Sequence, residues 1–395
     1  MAEQIENIRG ESGHGGNIYR LAEKLGIQER KVVDFSASVN PLGVSKQIKA
    51  EIRRHLKYLP HYPDPEAKKL RKRLAQYHGI NPETILCGNG STELIYLITR
   101  ALKPRKVLIP VPTFSEYERA VLTAENKERR AVIEFYILKE KNGFEINPDE
   151  FITDLKGERD PSPIAPHSSH SFDMAFLCNP NNPTGRLLRR EDVIKIAGAA
   201  RDLRCYLIVD EAFMDFCPEE TIIKYVESNP YLIVLRSMTN FYALAGLRIG
   251  YGVFPQDLVE RLKGYKEPWT VSSLAQRAAA VAIRDKTYKK ETFTLLRQEK
   301  RFLEKNIKKL GIEFFPSDTN FYLLKISNAD EISDGLQLKG MLVRDCSDFR
   351  GLDRTYLRIS VKSHKGNAIL IKELTQIIQK QKTNTENPDS DRINK

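Results

Sequence analysis

The sequence predicts an α/β protein: a large domain with a mostly parallel sheet between helices, followed by a smaller α+β domain. Three observations point there. A chain of 395 residues can bury a large core with a smaller partner beside it. From about residue 80 to 255, short apolar runs alternate with amphipathic helical patterns. Beyond about residue 285 the pattern changes to one long charged helix and then to short strand-like runs.

In order, VLIPV after Lys106, MAFLC from Met174, YLIVD from Tyr206 and YLIVL from Tyr231 read as buried parallel strands, because each is apolar throughout and too short for a helix. ELIYLITRALK and REDVIKIAGAARDL carry apolar residues at helical spacing, as crossover helices do. TLLRQEKRFLEKNIKKL is the long charged helix, and FYLLKI, LVRDC and YLRISV are the strands of the smaller domain. Residues 156–171, KGERDPSPIAPHSSHS, read as an exposed insertion rich in Pro and Ser. Its His167 and His170 lack further ligands, so no metal is expected. The polar tail beyond Gln381 is expected to be disordered.

Composition narrows the function. Hydrophobic residues make up 41% and charged residues 29%, and no apolar run reaches the ~18 residues of a membrane span. The opening MAEQIENIRG lacks the apolar core of a signal peptide, and the five cysteines form no C-x-x-C pair, so a reducing cytoplasm is expected. Basic residues exceed acidic ones, 63 to 52, for a net charge of +11. They are spread along the chain without a nucleic-acid motif, which favours anionic small molecules over nucleic acid as partners.

In open α/β sheets ligands gather at the carboxyl ends of strands. GNGSTE follows the run TILC and opens a helix, so N–H groups of Gly90, Ser91 and Thr92 can hold a phosphate; the same stretch is equally a plain helix cap. NPNNPTG closes the next strand, where two prolines hold the backbone that presents Asn182; a structural turn has the same pattern. Asp210 ends YLIVD, where a buried acid needs a partner such as a pyridinium nitrogen. Phe114 in PVPTFSEY can stack on an aromatic ring or belong to the core.

This set resembles the fold-type-I pyridoxal phosphate enzymes of the aspartate-aminotransferase group, whose lysine signature runs Ser, any, Ser or Thr, Lys, then Gly-x-Arg-x-Gly. Here Ser237, Met238 and Thr239 are followed by Asn240 and then by Gly246, Arg248 and Gly250, so only the Schiff-base lysine is missing. HGGN from His14, DFSASVNPLG from Asp34, YPD from Tyr62, DEAFMDF from Asp210 and EPWTVSSLA from Glu267 bring the resemblance closer to the threonine-phosphate decarboxylases of cobalamin biosynthesis. Histidinol-phosphate aminotransferases share the cofactor residues.

The resemblance implies pyridoxal 5'-phosphate as cofactor, with Asp210 at the ring nitrogen, Asn182 at the phenolic oxygen and Phe114 on the ring face. Ser91, Thr92, Ser237 and Arg248 would take the cofactor phosphate, with Tyr62 arriving from the other subunit of a homodimer. His14, Asn40, Arg344 and Arg358 would hold a phosphorylated amino acid. Residues 1–45 would form an arm over the substrate, 46–284 the large domain, 285–381 the small domain and 382–395 a tail. The implied reaction is decarboxylation of L-threonine O-3-phosphate to (R)-1-aminopropan-2-yl phosphate.

Asn240 bears directly on that chemistry, because an amide is no amine nucleophile and a proton donor near the reacting carbon is lost. Three accounts stand open: an engineered replacement, a natural paralogue without ordinary turnover, or an enzyme that takes its cofactor already loaded. Two other functions remain beside decarboxylation, an aminotransferase of the histidinol-phosphate type and a non-catalytic binder of cofactor or phosphoamino acid. Lys263 and Lys266, the nearby amines, lie in a charged stretch and are expected in solvent.

Overall fold

The computed structural model describes residues 15–124, 130–158 and 172–386, with side chains as far as Gln381. His14, His167 and His170 therefore lie outside the described residues, as does most of the expected insertion. In chain order the strands are β1 (Val33–Asp34), β2 (Ile85–Gly88), β3 (Lys106–Val111), β4 (Val132–Ile137), β5 (Met174–Cys178), β6 (Tyr206–Asp210) and β7 (Leu232–Ser237). They continue as β8 (Gly250–Val253), β9 (Glu313–Phe314), β10 (Phe321–Lys325), β11 (Met341–Leu342), β12 (Arg344–Asp345) and β13 (Tyr356–Ser360).

The seven-stranded sheet runs β2-β8-β7-β6-β5-β3-β4. All its pairings are parallel except those of β8, which is antiparallel to both neighbours. Side chains alternate across the sheet, so the continuous apolar runs feed two cores. Ala175, Leu177, Leu207, Val209, Leu232 and Val234 face one cluster with helices Lys68–His78 and Arg190–Asp202. Phe176, Ile208, Ile233 and Leu235 face the other, against helices Gly90–Leu102, Glu116–Thr123 and Gln256–Lys263. β4, which the sequence pattern did not single out, is an edge strand with Val132 and Ile137 more than half exposed.

The smaller sheet, β12-β13-β10-β9, is antiparallel and packs with the 24-residue helix Lys286–Lys309 into the first of those cores. The run LVRDC does not form one strand. Met341 and Leu342 pair with Val33 and Asp34 of β1, whereas Arg344 and Asp345 pair with β13, so one segment serves two sheets. The last helix runs from His364 to Glu386, past the expected end of the smaller domain at residue 381; the tail from 387 lies outside the described residues.

After β1 the chain lies along β13 with four successive carbonyls capped. Phe35 O accepts from Ser360 Oγ (2.8 Å), Ser36 O from Arg358 Nη2 (2.6 Å), Ala37 O from Lys362 Nζ (2.8 Å) and Ser38 O from Asn320 Nδ2 (2.7 Å). An irregular segment buried this way has to find donors, because unpaired buried carbonyls are costly. Asn320→Ala is expected to lower stability by about 1–3 kcal/mol and to raise amide exchange across residues 35–40. Denaturant unfolding and hydrogen–deuterium exchange check both.

Candidate functional site

The carboxyl ends of β2, β3, β5, β6 and β7 and the start of β8 share one edge of the sheet. Gly88, Gly250 and Ser237 stand in one register row there. A Cβ at Gly250 would sit 2.4 Å from the N of Ser91, so the helix Gly90–Leu102 begins directly on β8. Its first N–H groups have no intrahelical partner and carry the positive end of the helix dipole. Gly90 has φ +75°, and a Cβ there would fall 2.4 Å from Arg248 Nη2. Arg248 and the start of the helix thus meet beside Ser237, a combination of guanidinium, hydroxyl and free N–H groups that suits an anion better than a helix cap alone would. Thr92 is partly exposed in the same first turn.

Glu93, also in that turn, would repel an anion, but Lys266 Nζ lies 2.7 Å from its Oε1 and 2.5 Å from Thr270 Oγ1. Lys266 is therefore not in solvent as its charged surroundings suggested. Its helix ends at Lys263, and the following turn folds back over Glu93, leaving the Lys266 side chain 11% exposed. Lys263 makes a surface pair with Glu260, at 2.6 Å.

Two strands along, Asp210 is buried with one oxygen accepting the Ala212 N–H (3.0 Å) and the other the Tyr117 hydroxyl (2.8 Å). Burial pushes its carboxyl up to about 6, against the hydrogen bonds from Tyr117 and Ala212 that favour the ionised form. Phe114 is half-buried and meets the Tyr117 ring edge-on, with centroids 5.7 Å apart. The loops after β3 and β5 are tied by Asn181, which accepts from Thr113 Oγ1 (3.0 Å) and donates to Pro112 O (3.0 Å). Neither Tyr117 nor Asn181 stood out in the sequence, although the Tyr three residues after Phe114 on a helix start was the available signal.

Arg358 joins three parts of the chain. Its guanidinium donates to Asn182 Oδ1 and to Ser36 O and lies over the Phe321 ring. Its Nε is buried with no hydrogen-bond partner among the described residues, and burial pulls its pKa down to about 10. An anion would answer both features. Arg344 stands directly opposite Arg358 in the β12–β13 register, on the same face. It is already held by Asp348, with both carboxylate oxygens 2.8 Å from Nη2, so a ligand anion competes with that carboxylate.

Asn40 departs from its expected role. Its amide donates to Phe241 O and Thr292 Oγ1, both at 2.8 Å, and its Oδ1 accepts from Leu42 N–H. With both amide protons committed it braces the 240–241 loop, whose Asn240 O also accepts the Asn40 N–H at 2.9 Å. Asn240 itself is half-buried. Tyr62 is 81% exposed and leans on Trp269, with ring centroids 5.0 Å apart. No three of the described His, Cys, Asp and Glu residues form a group that could hold a metal, and no described helix is long and apolar enough to cross a membrane.

The chain belongs to the aminotransferase class I and II family, whose pattern matches residues 30–374. It has the fold-type-I architecture, and the family works with pyridoxal 5'-phosphate. Within the family it is similar to threonine-phosphate decarboxylase of Salmonella typhimurium, 35% identical over 371 residues, which cover 93% of this chain and 97% of that protein. A histidinol-phosphate aminotransferase of Thermoanaerobacter pseudethanolicus is 36% identical over 319 residues, 80% of this chain and 84% of that protein. The crystal structure of L-threonine-O-3-phosphate decarboxylase from Porphyromonas gingivalis matches with a TM-score of 0.73 and 31% identity, covering 88% of this chain and 100% of that one.

The helix start and the buried acid generate two expectations. Gly90→Ala has to strain a positive φ and push Arg248 aside, so binding of pyridoxal phosphate should weaken about tenfold or more, as read by fluorescence titration. The raised pKa of Asp210 means that it is protonated below about pH 6 and then offers no negative charge to a ring N–H. Cofactor affinity should fall as pH drops through that value, and Asp210→Asn should remove this component of the profile. Without cofactor the sign reverses: the folded state binds the extra proton between the ordinary 3.8 and about 6, so Asp210 costs stability as pH rises across that window.

Proposed function

We propose that this chain holds pyridoxal 5'-phosphate without a covalent bond and receives an amino acid that carries a phosphate, of the L-threonine O-3-phosphate kind. Decarboxylation to (R)-1-aminopropan-2-yl phosphate, a step toward cobalamin, is the reaction the site is built for, and Asn240 limits its turnover. The observation that carries the substrate class is the pair Arg358 and Arg344, side by side on one face, with Arg358 short of a partner at Nε. Arg358 with its free Nε and, where a ligand anion competes with Asp348, Arg344 beside it suit a substrate with two anions, a carboxylate and a phosphate, better than an amino-alcohol phosphate with one. This favours the decarboxylase reading over an aminotransferase of the histidinol-phosphate type.

The residues divide the work. Ser91, Thr92, Ser237 and Arg248, with the N–H groups that start at Gly90, bind the cofactor phosphate. Asp210 holds the ring nitrogen protonated, Phe114 covers one ring face, and Asn182 reaches the phenolic oxygen while keeping Arg358 in place. When bound, the cofactor supplies an electron sink for carbanion chemistry at Cα. Tyr62, exposed beside Trp269, is available to a second copy of the chain, which supports a homodimer with shared sites as the working unit. Asn240 offers neither an amine for covalent attachment nor a proton for Cα, and loss of a positioned acid–base group costs about 10²–10⁴-fold in rate.

In Asn240→Lys, borohydride should fix the cofactor to position 240, and carbon dioxide release from L-threonine O-3-phosphate should rise by about 10²-fold or more. The protein with Asn240 should bind cofactor reversibly and keep none after borohydride and dialysis. Equal decarboxylation by the two proteins, or no cofactor binding by the Asn240 form where the lysine variant is saturated, overturns the proposal. Binding without turnover in both would favour a non-catalytic holder of the phosphoamino acid.

A further inference from the structure

Tyr117 lies in the first turn of helix Glu116–Thr123 and is 1% exposed, yet it carries a hydroxyl into an apolar cluster. A phenol buried there needs a reason, since phenylalanine would fill the same space without a polar atom to satisfy. Its hydroxyl donates to Asp210 Oδ2 at 2.8 Å across 93 residues of sequence. Its ring stacks on Phe176 of β5, centroids 4.8 Å apart and planes 13° apart, and its hydroxyl also meets the Cys178 thiol two residues on. The same ring receives Phe114 edge-on, and the Tyr117 N–H lies 3.3 Å from Phe114 O.

We infer that Tyr117 is a positioning residue for the cofactor ring: it fixes Asp210 by its hydroxyl and Phe114 by its ring and backbone, so that the acid under the ring nitrogen and the aromatic over the ring face are set by one residue. This rests on the cofactor reading above. With Oδ2 held by Tyr117 and Oδ1 by Ala212, the carboxylate plane is fixed from two sides, and each oxygen keeps a lone pair for a ring N–H. The hydrogen bond also favours the ionised acid, which burial opposes.

The other titratable groups against Asp210 do not share this task. Cys178, opposite it on β5, is pushed by burial up to about 12 and stays a thiol. The Tyr117 phenol is raised well above its ordinary value and remains a donor. Glu211, next in the chain, is turned to Arg236, Thr221 and the Ile222 N–H. The hydroxyl of Tyr117 is thus the one side-chain donor among the described residues that bonds Asp210.

The test is Tyr117→Phe, alone and combined with Asp210→Asn, with the dissociation constant of pyridoxal phosphate followed from pH 5 to 8. Tyr117→Phe keeps the ring, its stacking and its backbone, and removes only the hydroxyl. Its cofactor dissociation constant should rise about ten- to hundredfold, the midpoint of the pH profile should move upward, and in the Asp210→Asn background the added effect should vanish. An unchanged constant and midpoint, or a loss of the same size in both backgrounds, overturns the inference and leaves Tyr117 as packing. Should Tyr117→Phe not fold, 3-fluorotyrosine at position 117, a stronger donor, has to move the midpoint downward; no movement overturns the inference equally. Failure of the cofactor reading is told apart because the unsubstituted protein would then bind no pyridoxal phosphate at any pH.

Discussion

Two adjacent acids, Asp210 and Glu211, are buried where β6 meets the edge of the sheet, and much of the surrounding architecture exists to satisfy them. Glu211 is fully buried and accepts from Arg236 Nη1 (2.9 Å), Thr221 Oγ1 (2.6 Å) and the Ile222 N–H (2.9 Å). Arg236 reaches on to Asp215 at 2.9 Å, which also accepts the Tyr242 hydroxyl. Such a cluster contributes little net stability, yet removing one member would strand a buried charge at a cost of about 3–5 kcal/mol. Its effect is positional. Arg236 is the residue before Ser237, so the same ions that neutralise β6 anchor the end of β7 from which Ser237 and Asn240 extend.

Asn240 sits in an otherwise intact frame. The Asn40 N–H and amide hold the carbonyls of Asn240 and Phe241, and the long helix joins through Thr292. In the proposed site cofactor binding and cofactor chemistry separate, because the helix start at Gly90, Arg248, Asp210 and Phe114 offer backbone dipoles, a guanidinium, a carboxylate and a ring, none of which involves position 240. What the missing lysine removes is an amine and its proton, not the shape of the site.

Arg358 ties the segment after β1 to the loop after β5. One guanidinium nitrogen reaches Asn182 in the loop after β5 and another takes the Ser36 carbonyl, so an anion drawn to its buried Nε would meet a cation whose orientation already depends on the arm being seated. Ser360, Lys362 and Asn320 seat the same segment through neighbouring carbonyls. Order in residues 35–38 and the orientation of the Arg358 guanidinium are therefore one structural condition.

Much of this was legible in the sequence. The apolar runs from Val107, Met174, Leu207 and Leu232 are strands because a run buried on both faces needs apolar residues at every position, a purely local signal. Gly90 at a helix start and Asp210 at a strand end could be placed from the local pattern alone. The partners could not. Tyr117 reaching Asp210, Lys266 neutralising Glu93, Asp348 occupying Arg344 and Asn40 bracing the Asn240 loop are choices of three-dimensional packing. Three of the four join residues 93 or more positions apart, and all four turn on which way a side chain leaves its element. The sequence by itself determined the elements, the edge at which polar residues gather and the absence of a lysine at position 240. The tertiary structure decided which of those polar groups are free to meet a ligand, because a buried donor or acceptor goes first to whatever neighbour the fold puts within about 3 Å.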